Sequence, residues 1–218
     1  MRYANYSAAK FDIIYYVPRN KNFMDVLSPA GFLLSLIWIL KGKSVPGFLV
    51  VLALKCSSFV HVNSGTSGRS KCCSVGLDVP SVLLSNALGE RTTLLCLLIT
   101  CLNGTWVLEQ PGSSVFEYYP EWRDFMNALI GTHGLKSVTR ANWWMAHYGG
   151  QTPKRHYCWS NSPMISALDK GKLHYKAWKN SQASHVQTVR HYQDREGKKR
   201  YVGTSKLKGT EFLDTTEL

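Results

Sequence analysis

Short uninterrupted apolar runs alternate with longer segments of helical spacing along this chain. Residues 48–54 (Phe-Leu-Val-Val-Leu-Ala-Leu) form the clearest run, and residues 11–16 (Phe-Asp-Ile-Ile-Tyr-Tyr) form an earlier one. Runs without alternation suit short strands buried on both faces. Between them, Ser28-Pro29 supplies a capping hydroxyl and a proline at the first helical position. The predicted helix runs to about Lys41, with Phe32, Leu33, Leu36 and Ile37 on one apolar side, and Gly42, Pro46 and Gly47 break it. Pro80 opens a second helical pattern over residues 81–101, with Gly104 just beyond its end. A third begins at Pro120, over residues 121–130, and closes at Gly131. Residues 137–145 and 157–159 are strand-like. Strand and helix alternate, which predicts an α/β class with a mainly parallel sheet.

The stretch at residues 105–114, Thr-Trp-Val-Leu-Glu-Gln-Pro-Gly-Ser-Ser, concentrates the chemistry. Four apolar or β-branched residues read as a buried strand. Pro111 cannot donate to a sheet ladder, so the strand stops there. Glu109 is therefore expected at a strand end, where open α/β sheets bind ligands. Cys56 follows the run at 48–54 in the same way, so parallel neighbours would bring both to one sheet edge. Lys55 beside the thiol would favour the thiolate. The Ser/Gly-rich residues 65–76, with Arg69 and Lys71, read as a backbone-rich clamp.

Charge changes the picture further along. The chain of 218 residues has 44% hydrophobic residues and a formal charge of +12. That apolar content excludes wholesale disorder. From Lys170 to Lys208, eleven Lys or Arg stand against Asp194 and Glu196, a balance of +9. His174, Tyr175, Trp178, His191, Tyr192 and Tyr201 are interleaved with them. Cations mixed with rings suit a phosphate backbone with bases available for stacking. Two regions are thus expected: an α/β core over residues 1–169 and a basic C-terminal extension over 170–218, holding a helix or two and then a loose tail. Candidate nucleic-acid contacts are Ser57, Ser58, Arg69, Lys154, Lys170, Lys172, Lys176, Lys198, Lys199 and Arg200.

Six cysteines occur without a repeated spacing, and no CxxC or HxxxH pair supports a metal site. Cys96 and Cys101, in the leucine-rich helical pattern, read as core residues. Residues 1–10 are polar and unlike a signal peptide, and the longest apolar run is shorter than the about 20 residues a bilayer span needs. The expectation is a soluble intracellular protein, including a nuclear one, with no membrane partner.

Taken together, Cys56-Ser57-Ser58, then Glu109-Gln110-Pro111, then Tyr148-Gly149 with Lys154-Arg155 resemble the core of cytosine-5 DNA methyltransferases. The resemblance covers roughly residues 11–162 and rests on three short motifs in order. It implies a Rossmann-like sheet, S-adenosylmethionine as methyl donor, and DNA or RNA as substrate. Cys56 would match the nucleophile that attacks ring carbon 6 of a flipped base. Glu109 would match the acid that contacts ring nitrogen 3, Arg155 the arginine that holds the base, and Asp12 the acid on the cofactor ribose. The pattern departs from the family at several places. No Phe-x-Gly-x-Gly loop precedes Phe11, Lys55 replaces a proline, and Tyr157 replaces the second arginine. These departures imply a core truncated at its N-terminus, weak or inactive alone, with a partner chain to supply the cofactor loop. The alternative is a non-catalytic nucleic-acid binder using the basic region.

Overall fold

The computed structural model describes residues 8–13, 23–150, 152–181 and 189–203. Ser28 has extended backbone and its Oγ accepts from the Gly31 N–H at 2.9 Å, so helix α1 (Pro29–Gly42) starts where the cap and proline predict. Its expected apolar side is only partly used. Leu33 and Ile37 are exposed, and Ser35 and Ile39 are buried instead. Strand β1 (Leu49–Ala53) follows, then a one-turn helix α2 (Ser64–Ser67) and the long helix α3 (Pro80–Cys101). Beyond α3, Asn103 takes a left-handed φ of 56°, and the Gly104 N–H returns to the Ile99 carbonyl at 2.8 Å.

Strand β2 (Thr105–Pro111) leads to helix α4 (Pro120–His133). α4 passes Gly131 and stops at Gly134, whose φ of 82° only glycine adopts cheaply. Strands β3 (Thr139–Trp144) and β4 (Arg155–Ser160) complete a four-stranded sheet in the order β1-β2-β4-β3. The class is mixed α/β, as expected, but the sheet is not mainly parallel. β1 and β2 pair in parallel through the α3 crossover, whereas β4 is antiparallel to both β2 and β3. Only residues 145–154 join β3 to β4, fewer than the about a dozen a parallel crossover needs.

The strands are not buried on both faces either. On β2, Trp106, Leu108 and Gln110 lie under the helices, and the residues between them are half-buried on the other face. The main core joins Trp106 and Leu108 to Leu95, Cys96 and Ile99 of α3 and to Trp122 and Phe125 of α4. Trp106 meets Trp122 edge-on, with ring centroids 5.6 Å apart. On the opposite face, a 3-10 helix (Pro163–Leu168) covers β3 and β4, with Ile165 packed on Ala141 and Cys158. Over β1 that face is open, and Leu49 and Val51 are each about half exposed.

Among the described residues α3 is the one helix long and apolar enough to cross a membrane, by length and composition. Half of it is buried, which is the pattern of a helix packed on a sheet. Of the expected first strand, Phe11, Asp12 and Ile13 are described and are not in a strand; the rest lies outside the described residues. Phe11 instead packs edge-on against Trp38 of α1, at 5.8 Å. In the basic region, helix α5 (Tyr175–Ser181) precedes a hairpin of β5 (Val189–Gln193) and β6 (Lys199–Gly203). The hairpin replaces part of the expected loose tail. The Asp194 carboxylate accepts from the Glu196 and Lys198 N–H groups at 3.0 and 2.9 Å, and Gly197 has a φ of 76°, which fixes the turn. Residues 204–218 lie outside the described residues.

Candidate functional site

The stretch at 105–114 divides its polar residues between the two faces of the sheet. Gln110 is fully buried on the helix side. Its Nε2 donates to the Glu109 carbonyl at 2.9 Å and, at 3.4 Å, to the Leu54 carbonyl just after β1. Its Oε1 accepts from Ser114 Oγ at 2.8 Å. These bonds tie the end of β1 to the turn that follows β2. The Gly112 N–H donates to the Arg155 carbonyl at 2.8 Å, where a Cβ would crowd that oxygen at 3.1 Å. Gln110 and Ser114 are thus satisfied internally and hold the sheet end together.

Glu109 faces the other way. It stands inside β2 rather than at the expected strand end, because the ladder with β4 continues through Gln110 to Pro111; it is opposite Cys158 in the register, and its side chain is 12% exposed. Its Oε1 is bonded to Nδ1 of His156, which is 7% exposed and shares that face with Cys158. The His156 ring lies against Trp143, with centroids 5.0 Å apart at 32°. Trp143 in turn meets Tyr148 edge-on at 5.6 Å. Burial pushes the Cys158 thiol up to about 11, helped by the nearby Glu109 charge, so Cys158 is a neutral apolar contact rather than a nucleophile. Glu109 lines a cavity of about 400 Å³ on this face, bounded on one side by the 3-10 helix. Leu49, Val51, Val107, Glu109, Trp143 and Leu168 are among its walls.

No known family model, curated protein or solved structure matches this chain. The site therefore has to be judged on its own geometry.

That geometry separates the residues the sequence had grouped. Ala53 registers with Glu109, so the segment carrying Cys56 does leave the sheet at the end where Glu109 lies. Cys56 is half-buried, and its carbonyl accepts from the Phe59 and Val60 N–H groups in a tight turn. Arg155 does not join them. It alternates with His156 along β4, so its side chain falls on the face opposite Glu109, exposed, with its guanidinium 5.6 Å from the Trp144 ring. Asp12 is half-buried beside Phe11, outside any strand.

Arg69 is a clear departure from the expected phosphate contact. It is 3% exposed and stacks on Phe59 with 3.7 Å to the ring centroid. Its guanidinium donates to the Ser74 carbonyl and, at 2.6 Å, to Asn86 Oδ1. Burial lowers its pKa to about 10. A cation spent on holding residues 69–76 against α3 is not available to a phosphate. Ser58 is buried as well, whereas Ser57 is exposed. Lys154 is half-buried.

The described cations of the basic extension whose burial is known face solvent. Lys170, Lys172, Lys176, Lys198 and Lys199 are exposed, as are Lys179, Arg190 and Arg195, and Arg200 lies on β6. Lys170 sits 4.1 Å from the Tyr148 ring centroid, and Lys198 pairs with Glu196 at 3.0 Å.

His156, Trp143 and the position of Cys158 are the features sequence reading missed. The signal was present: extending the strand at 157–159 two residues earlier puts His156 and Cys158 on one face by the two-residue period.

Proposed function

We propose that this chain is a non-catalytic nucleic-acid-binding protein that engages the phosphate backbone through residues 170–203. The α/β region that precedes it in the chain contains one parallel β–α–β unit, β1–α3–β2. What carries the reading is the exposure of the cations in α5 and the hairpin. Lys172, Lys176 and Lys179 stand in solvent on or beside the helix, and Arg190, Arg195 and Lys199 on the hairpin. Tyr175 and Tyr192 lie among them about half exposed, which leaves ring faces for bases. Cations that made internal ion pairs would have little left for a polyanion; those six are not in the protein's ion pairs among the described residues.

Methyl transfer from S-adenosylmethionine, with a partner chain supplying a cofactor loop, has less support. It needs Glu109 and Arg155 to converge on one base beside Cys56, and they lie on opposite faces. DNA and RNA both satisfy the phosphate chemistry, and either would place the protein inside the cell, the nucleus included.

The experiment is charge reversal in the full chain. Lys172→Glu, Lys176→Glu and Lys199→Glu together should weaken binding to a labelled DNA duplex and to single-stranded RNA by about tenfold or more at low salt. Far-UV circular dichroism should be unchanged, because all three side chains are exposed. Unaltered affinity in a folded triple variant would overturn the reading.

A further inference from the structure

The groove beside Glu109 is not used by the proposed nucleic-acid surface, and its composition is unusual for a protein so rich in cations. We propose that it is a binding site for a small organic ammonium: a flat apolar body carrying one protonated nitrogen. The cavity, about 400 Å³, falls within the roughly 300–1,000 Å³ typical of small-molecule sites. Leu49, Val51, Val107 and Leu168 give it apolar walls, and Trp143 supplies an aromatic one. Among the described residues Glu109 is the one acid on its lining, and no Lys or Arg lines it.

A carboxylate this deeply placed in apolar surroundings is costly unless something compensates its charge. His156 holds Oε1 from the buried side, which fixes the carboxylate in place. His156 engages Oε1 alone, and among the described residues no other side chain bonds the Glu109 carboxylate. The groove side then remains for a cationic donor, with Trp143 adding cation–π attraction where the charge stands over the ring. Charge complementarity thus selects an ammonium over a neutral or anionic ligand of the same shape.

The test uses the full chain and three probes of one shape: benzylammonium, benzyl alcohol and benzoate. Binding is read by tryptophan fluorescence and by NMR shifts of the groove methyl groups. The expected result is saturable benzylammonium binding, about tenfold or more tighter than benzyl alcohol, with benzoate weakest. Glu109→Gln keeps the shape and should erase the preference of ammonium over alcohol. Val51→Trp, at a half-exposed edge position, should fill the groove and weaken both. Equal binding of ammonium and alcohol, a preference that survives Glu109→Gln, or no saturable binding would each overturn the proposal. If Glu109→Gln does not fold, the ranking of the three probes on the unaltered chain decides. None of these outcomes bears on the basic segment, which the probes do not require.

Discussion

Arg69 is the residue whose role reverses most between composition and structure. In the sequence it is one cation of a Ser/Gly-rich loop in a protein of charge +12. In the fold it is enclosed by Phe59, Ser74 and Asn86 and holds the loop against α3. The two roles lead to opposite expectations for Arg69→Met. Loss of the buried hydrogen bonds leaves Asn86 and the Ser74 carbonyl without their donor, at a cost of about 1–3 kcal/mol. Urea unfolding should show that loss, and nucleic-acid affinity measured on the folded variant should stay where it was. A variant of native stability that binds nucleic acid more weakly would return Arg69 to the surface role. Nothing in the local sequence distinguishes the two, because the partners, Asn86 and Phe59, come from other elements.

At the scale of elements, β4 carries two groups that burial holds protonated. Tyr157 and Cys158 point to opposite faces, Tyr157 under the helices and Cys158 toward the groove. Burial pushes the Tyr157 phenol upward and raises the Cys158 thiol to about 11. Both folded values lie above the unfolded ones, so their contribution is fully present below the unfolded pKa of the thiol, about 9. It is lost as pH rises through the folded values, because only the unfolded chain gives up the protons readily. The urea midpoint should therefore fall between pH 9 and 11, and Cys158→Ala should fall less over that window. A flat profile, or one that rises, would contradict the burial of β4.

Element positions were largely legible in the sequence. The Ser28-Pro29 cap, Pro80, Pro120 and the stop at Pro111 each act through local backbone chemistry, and each is found where expected. The pairing of strands was not legible, because it depends on connection length. The turn around Tyr148 is too short to cross over the sheet, so β4 inserts antiparallel beside β2 and carries His156 to Glu109. The same fact breaks the expected site, since the alternation that brings His156 inward sends Arg155 out.

At the scale of the whole molecule, apolar and basic character are segregated. The helix-covered core is built from residues 26–138 with Trp159, and exposed cations are densest after residue 169, with others such as Lys41, Lys55, Lys136 and Arg155 spread over the α/β region. Such a division supports polyanion binding that is independent of the groove and of Cys56. Sequence preference should be slight, because phosphate contacts position a protein without specifying a base order. Salt dependence is the most direct measure. Contact with about five to eight phosphates predicts that log affinity falls linearly with log salt, with a slope of roughly −4 to −7 on duplex DNA. The charge-reversed triple variant should flatten that slope by about 3. A slope near zero for the unaltered chain, or one that the reversed charges leave unchanged, would contradict nucleic-acid binding through the basic segment.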